Sequence, residues 1–430
     1  MNKIMKIINL LIVSCFLLLS TTASAHTGIQ SSSPKNGAVM KQAPEMIELS
    51  FKGTVRLIQL ELKAADGELV NLELPISDEP TKHFSIPLPD LKTSTYKVNW
   101  VSAGADGHKI KGKFGFKYVG ANAAADSVTD DGAEVNDNRI SGWVVAIVLN
   151  KLLIYIALAM TVGGLAAMFT LSRYKDRQIP FIRYLPVGCL LGFIAVTISF
   201  FLQVGSFAEE GISGMFNADY ADILWGSGVG QSYKLQMIGW GLVVLMMLLM
   251  WLKPAATDLF ASLSLIGVFM IAAAFTLTGH NAEAPIWVRI ALALHVVAAM
   301  WWIGSLYPLR SACDVLGVSN LQSLMVEFGK QAMFLVGLLV VAGVVISYHL
   351  EGNFSNLVNT GHGNLLLLKI GTVAVILSLA ALHKFAYVPA LSNGKSTAIL
   401  KRSITIEMWV GVLILVVTAV MSSVTGPAYG

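Results

Sequence analysis

The sequence predicts two folds in one chain: an all-β N-terminal domain, a Greek-key sandwich or barrel, followed by an all-α polytopic membrane domain of eight transmembrane helices. Three observations carry that expectation. Short stretches before residue 119 alternate apolar and polar side chains, the period-two mark of half-buried strands. Beyond residue 143 come eight apolar runs, each near or above the roughly 20 residues that span a hydrocarbon core. Over 430 residues, hydrophobic side chains reach 55% and charged ones only 13%, too few charges to cover a soluble protein of this size.

The first 25 residues read as a secretory signal peptide. Lys3 and Lys6 precede an apolar run over residues 7–19, and Ala23-Ser24-Ala25 forms an A-x-A cleavage pattern. A lipoprotein cut at Cys15 fits less well, because it would split the apolar run. Cleavage after Ala25 would make His26 the first residue. Its free α-amine and ring Nδ1 could then chelate one ion together, an arrangement of nitrogen donors that suits Cu(II).

Residues 26–119 form the expected β domain. Ile47, Leu49 and Phe51 alternate with polar residues, as do Phe84, Ile86 and Leu88, then Tyr96, Val98 and Trp100, then Phe114, Phe116 and Tyr118. Such strands in so short a span imply an antiparallel sandwich or barrel. Ala65-Asp66-Gly67 and Ala105-Asp106-Gly107 supply turns. The second turn puts Asp106 and His108, a carboxylate and an imidazole two residues apart, where ligands project from a rigid scaffold. His83 reads instead as a strand-surface residue. Residues 120–139, with Asp126, Asp130, Asp131, Glu134 and Asp137 among small polar residues, read as an acidic flexible linker.

The membrane domain is expected over residues 140–430, with runs near 143–169, 182–204, 234–252, 259–278, 286–308, 329–350, 364–386 and 404–424. The first, third, fifth and seventh connections hold Arg173, Lys175, Arg177, Arg183, Lys253, Arg310, Lys330, Lys384, Lys395, Lys401 and Arg402. Basic connections lie in the cytoplasm, so the β domain is expected outside a bacterial plasma membrane, in agreement with the signal peptide. The opposite connections carry Lys234 and Arg289 with Glu209, Glu210, Asp219, Asp222, Glu283 and Glu351.

Orientation then gives depth. His280 and Glu283 lie at the outer mouth, His349 ends the sixth helix, and His362 falls in the loop after it. His295 lies about 14 Å below the start of the fifth helix, at a rise of about 1.5 Å per residue. Ionisable residues within spans are functional hypotheses by default, so His280, Glu283, His295, His349 and His362 form a candidate metal path. His383, beside Lys384, reads more simply as an interface anchor. Lys151 and Lys369 stand in the outer half of spans and would repel a cation unless paired or snorkelling. Cys189 and Cys313 sit in or beside apolar segments, so no disulfide framework or thiolate cluster is expected. No G-x-x-x-x-G-K-[ST] or D-K-T-G motif occurs, so the chain has no evident means of using ATP.

His26-Thr27, Ser33-Pro34, Gly37, Pro44, Leu49-Ser50-Phe51 and Asp106-Gly107-His108 with Gly112, Phe114 and Phe116 resemble the copper-binding CopC family. Thr278-Gly279-His280, His295 through Trp301-Trp302-Ile303-Gly304, Phe328-Gly329 and Leu365 through Lys369 resemble CopD. Joined, they are similar to the CopC–CopD fusion (YcnJ-type) copper-uptake family. The resemblance implies Cu(II) at His26, Asp106 and His108, with Cu(I) open for the membrane domain. A methionine-rich Cu(I) loop has no match, since the β domain holds only Met40 and Met46. It also implies copper acquisition without catalysis. The expected partners are the copper ion, the lipid bilayer and an extracytoplasmic copper chaperone or reductase, with no nucleic acid. The alternative is a membrane-anchored copper-binding, resistance or sensing protein without transport. An oxygenase or a haem carrier fits less well: D-x-H adds a carboxylate at the metal, and His295, His349 and His383 lie at different depths.

Overall fold

The structure, a computed structural model, describes residues 29–72, 81–104, 109–120, 142–171, 183–208, 211–278, 284–351, 356–359, 361–391 and 397–424. The expected signal peptide, His26, Asp106, His108, linker residues 121–139, His280 and Glu283 lie outside the described residues.

Among the described residues, seven strands form the N-terminal sheet: β1 (Ile29–Ser33), β2 (Ala38–Met40), β3 (Met46–Ala64), β4 (Leu69–Val70), β5 (Thr81–Pro87), β6 (Ser94–Gly104) and β7 (Lys109–Tyr118). Their order is β1-β3-β6-β7-β2, with β4 and β5 also paired to β3. Only the β2–β7 pair is parallel among these ladders. The alternation read in the sequence is the alternation of burial: Ile47, Leu49, Phe51, Phe84, Val98 and Phe116 all face the core. Phe51 meets Phe84 and Trp100 edge to face at 5.8 and 5.1 Å, the arrangement ring quadrupoles favour. Gly112 makes room for that indole, since a Cβ there would fall 2.5 Å from Trp100. At the Asp66-Gly67 turn, Gly67 takes φ 92° and donates its N–H to the Ala64 carbonyl at 2.9 Å. His83 is exposed on β5, its Nδ1 2.9 Å from Ser50 Oγ.

Among the described residues, eight helices are long and apolar enough to cross a membrane: α1 (Gly142–Leu171), α2 (Tyr184–Ala208), α3 (Gly228–Leu252), α4 (Thr257–Ala274), α5 (Ile286–Val315), α6 (Val318–Glu351), α7 (Gly361–Leu382) and α8 (Thr397–Val424). The third, sixth and eighth begin earlier than their apolar runs because helical bonding continues into polar residues, as Ser227 shows by capping Gly230 at the start of α3. A π-helical turn, His383–Tyr387, carries α7 on into the short segment Val388–Leu391. The α2–α3 connection is itself folded. It comprises a 3-10 turn, Gly211–Phe216, and a short helix, Ala218–Gly226, whose N-terminus is capped by Asn217.

Small residues bring spans together. A Cβ on Gly304 would lie 1.8 Å from the Ala159 carbonyl oxygen, and one on Gly163 would lie 2.0 Å from Gly304. The backbones of α1 and α5 therefore touch, as small-residue contacts between membrane helices allow. Lys151 Nζ donates to the Ser422 carbonyl at 2.8 Å, and Tyr155 Oη lies 3.2 Å from Ser422 Oγ. This pairing accounts for Lys151. Its ammonium serves a carbonyl at the C-terminal end of α8, where helix polarity favours a cation.

The β domain sits on one end of the bundle. Ala103 of β6 shares an apolar cluster with Phe200, Val204 and Phe207 of α2 and Leu224 of the short helix. Beside it, Arg56 Nη1 of β3 donates to the Ile223 carbonyl at 3.0 Å. Successive spans alternate in direction, so the α1–α2, α3–α4, α5–α6 and α7–α8 connections lie at the far end. Arg183, Lys253, Lys401 and Arg402 belong to that far end.

Candidate metal sites

Sheet register brings the flanks of the sequence-predicted capture site together. Ile29, where β1 begins, pairs with Phe51 of β3. Four residues further along β3, Val55 pairs with Gly104, and Ala103 pairs in turn with Lys109. At a rise of about 3.3 Å per residue, these points span about 13 Å of one strand. His26 precedes Ile29 in sequence, and Asp106 and His108 fall between Gly104 and Lys109. The end of the sheet with these flanks is also the end that contacts the bundle through Arg56 and Ala103.

Within the bundle, His295 lies half-buried on α5, its Nδ1 3.3 Å from the Leu339 carbonyl of α6. A carbonyl only accepts, so Nδ1 carries the hydrogen in this contact and Nε2 keeps its lone pair. Gly343, one turn beyond Leu339, lies beside the ring: a Cβ there would sit in ordinary contact, 3.6 Å from Cε1. Lys369 of α7 is within electrostatic range of His295. His349 stands at the end of α6, edge to face with Trp287 of α5 at 6.4 Å. His362 is a correction. It lies in the first turn of α7 rather than in a loop, and it is buried. Helix α7 starts before its long apolar run and takes in Gly361, His362 and Gly363. Among the described residues, no three His, Cys, Asp or Glu side chains converge to hold a metal. Cys189 and Cys313 are buried free thiols.

One group escaped the sequence reading. Glu407 of α8, 1% exposed, accepts a hydrogen bond from Trp302 Nε1 of α5 at 2.9 Å through Oε1. Its Oε2 stands 3.1 Å from His383 Nδ1, and His383 Nε2 lies 2.7 Å from Ser403 Oγ. Groups from α5, the π-turn and α8 thus meet around one buried carboxylate. A signal existed in the sequence. A single Glu lies just inside the eighth apolar run, at an end otherwise rich in Lys and Arg.

Fold and sites together define a multi-pass membrane protein that carries a β domain on one end of a helical bundle and imidazole and carboxylate groups within it. Its parts match two family models: a CopC domain over residues 29–119 and copper resistance protein D, CopD, over residues 322–421. The chain carries the CopC and CopD domains in one polypeptide. It is 22% identical to the copper transport protein CutJ of Bacillus subtilis (strain 168) over 439 aligned positions, 97% of this chain and 77% of that protein. Two solved structures align with part of it. CopC from Methylosinus trichosporium OB3b is 21% identical and covers 23% of this chain and 100% of its own, with a TM-score of 0.20. PcoC, a methionine-rich copper resistance protein from Escherichia coli, is 26% identical and covers 22% and 99%, with a TM-score of 0.19.

Proposed function

We propose that this chain acquires copper: the β domain captures Cu(II) outside the cell, and the bundle passes the ion inward. The observation that supports this most directly is the seam. The sheet end flanking His26, Asp106 and His108 is the end seated on α2 and the short helix through Ala103 and Arg56. A capture site placed there releases its ion next to the bundle rather than into solvent. His26, through amine and ring, together with Asp106 and His108 supplies the nitrogen and oxygen donors that Cu(II) accepts. His280, Glu283, His349 and His362 would receive the ion, and His295 would carry it deeper.

His295 has the chemistry for that step. Its Nδ1–H is held by the Leu339 carbonyl, leaving Nε2 as a ligand, the support that metal-binding imidazoles usually have. CutJ, similar along nearly the whole chain, is named a copper transport protein. The basic far end, with Arg183, Lys253, Lys401 and Arg402, supports a cytoplasmic position for that side. With the cell interior negative, each charge moving inward gains about 2.3 kcal/mol per 100 mV, which favours uptake without ATP. The test is copper binding by the mature chain with and without a residue added before His26. The added residue separates amine from ring and should weaken Cu(II) binding severely. Unchanged affinity would remove His26 from the site.

A further inference from the structure

Glu407 and His383 lie in the half of the bundle away from the β domain. Val424, the last residue of α8, is two beyond Ser422, which meets α1 at Lys151. Glu407 is 17 residues before that end, about 25 Å at helical rise. His295 lies nine residues into α5, about 14 Å from its start by the same rise. The pair therefore belongs to a second, deeper level.

Three features of this pair fit a cation between its two groups. First, the carboxylate is held at one oxygen only. Trp302 Nε1 fixes Oε1, while buried Oε2 makes no aligned hydrogen bond, although His383 Nδ1 is 3.1 Å away. Oε2 is thus close to an imidazole nitrogen without a hydrogen bond already using it. Second, the imidazole is held from behind. With its hydrogen on Nε2, directed at Ser403 Oγ 2.7 Å away, Nδ1 keeps a free lone pair, and Oε2 is 3.1 Å from that nitrogen. Ligand histidines are commonly supported through the other ring nitrogen in this way. Third, the separation matches a metal bite. Donors about 2.0–2.1 Å from one ion and subtending 90–110° lie about 2.9–3.4 Å apart, a range that contains 3.1 Å. His383 also opens a π-helical turn, a distortion frequent at functional sites, and keeps 15% of its side chain exposed.

We infer that His383 Nδ1 and Glu407 Oε2 form a second cation site, preorganised by Ser403 and Trp302, for a divalent ion of borderline hardness such as Cu(II). Imidazole and carboxylate suit such an ion, whereas Cu(I) is selected by thiolate and thioether sulfur. The inference rests on the transport reading for the ion's route, and it assigns a divalent state to copper at this level.

The test uses the full chain in lipid nanodiscs, with Asp106→Ala/His108→Ala and a residue added before His26 together silencing the capture site, and Cu(II) alone as the probe. That background should retain a Cu(II) electron paramagnetic resonance signal with nitrogen coupling. Adding Glu407→Gln or His383→Gln should remove one equivalent of bound Cu(II) and that signal. Ser403→Ala should weaken the same site about tenfold without changing the stoichiometry. Thermal midpoints without metal check that each variant folds. Should Glu407→Gln fail that check, Glu407→Asp replaces it and should shift the signal while keeping the equivalent. A lowered midpoint with unchanged copper binding would identify a structural pair and overturn the inference, as would unchanged stoichiometry and spectrum in both variants. Failure of cells to take up copper would count against the transport reading, not against this equilibrium measurement.

Discussion

Arg56 of the β domain donates a hydrogen bond to the Ile223 carbonyl of the bundle at 3.0 Å, across 167 residues of sequence. That bond and the apolar contact of Ala103 with Phe200, Val204 and Phe207 hold the two parts together. A hydrogen bond from a charged donor contributes about 1.5–3 kcal/mol, and Arg56 is only partly buried, so the low end applies. Arg56→Ala combined with Ala103→Asp should loosen the seam. Chemical cross-linking between β domain and bundle should fall, and uptake at limiting copper should drop several-fold, with Cu(II) affinity of the capture site unchanged. Normal uptake despite lost cross-linking would show that the seam does not serve transfer.

Lys151 gives a second prediction, on stability alone. Lys151→Met leaves the Ser422 carbonyl without this donor. The donor is charged but the bond is exposed, so the expected cost is about 1.5 kcal/mol, read as a lower thermal midpoint in detergent. Copper uptake per folded molecule should not change. A loss of uptake with an unchanged midpoint would place Lys151 on the ion's route instead.

These residues also show what was legible in the sequence. Strand alternation and apolar runs report burial directly, so Phe51, Val98 and the eight spans could be read without coordinates. Pairings across long distances could not. Lys151 looked unpaired because its acceptor is a backbone carbonyl 271 residues away. Glu407 escaped because its meaning depends on Trp302 and His383, which two other elements bring to it. His362 reads as a loop residue because the apolar run starts only at residue 364, yet α7 begins at Gly361.

Close packing of α1 on α5 makes Gly304 intolerant of a side chain. Gly304→Val places its Cβ 1.8 Å from the Ala159 oxygen, where the obstacle is backbone. Overpacking typically costs about 1–3 kcal/mol, sometimes more, and here the helices must separate. Folded yield in membranes should fall sharply. A Gly304→Val protein with normal yield and thermal midpoint would contradict this helix crossing.

Acid should release the captured ion. In the proposed site, the terminal amine and the imidazoles of His26 and His108 would bind metal only when deprotonated. Falling pH therefore protonates the ligands and removes binding, most steeply through the ordinary imidazole range near about 6.5. Cu(II) titrations of the mature chain between pH 5 and 8 should show affinity rising with pH. A flat profile would exclude imidazole ligands.

If the proposed route holds, passage through the bundle depends on His295. Removing one of His280, His349 or His362 should raise the copper concentration needed for uptake, because neighbouring donors still recruit the ion. His295→Ala should lower the maximal rate instead. Neither change should alter Cu(II) binding by the β domain. A normal maximal rate for His295→Ala would take that residue off the route.

The most direct measurement is initial copper uptake in copper-starved cells that express the chain, its His108→Ala variant, or neither, with expression matched. Acquisition through the capture site predicts the fastest uptake with the intact chain and a marked reduction in the other two. Equal or higher copper accumulation in cells without the chain would contradict import and reverse or abolish the proposed direction.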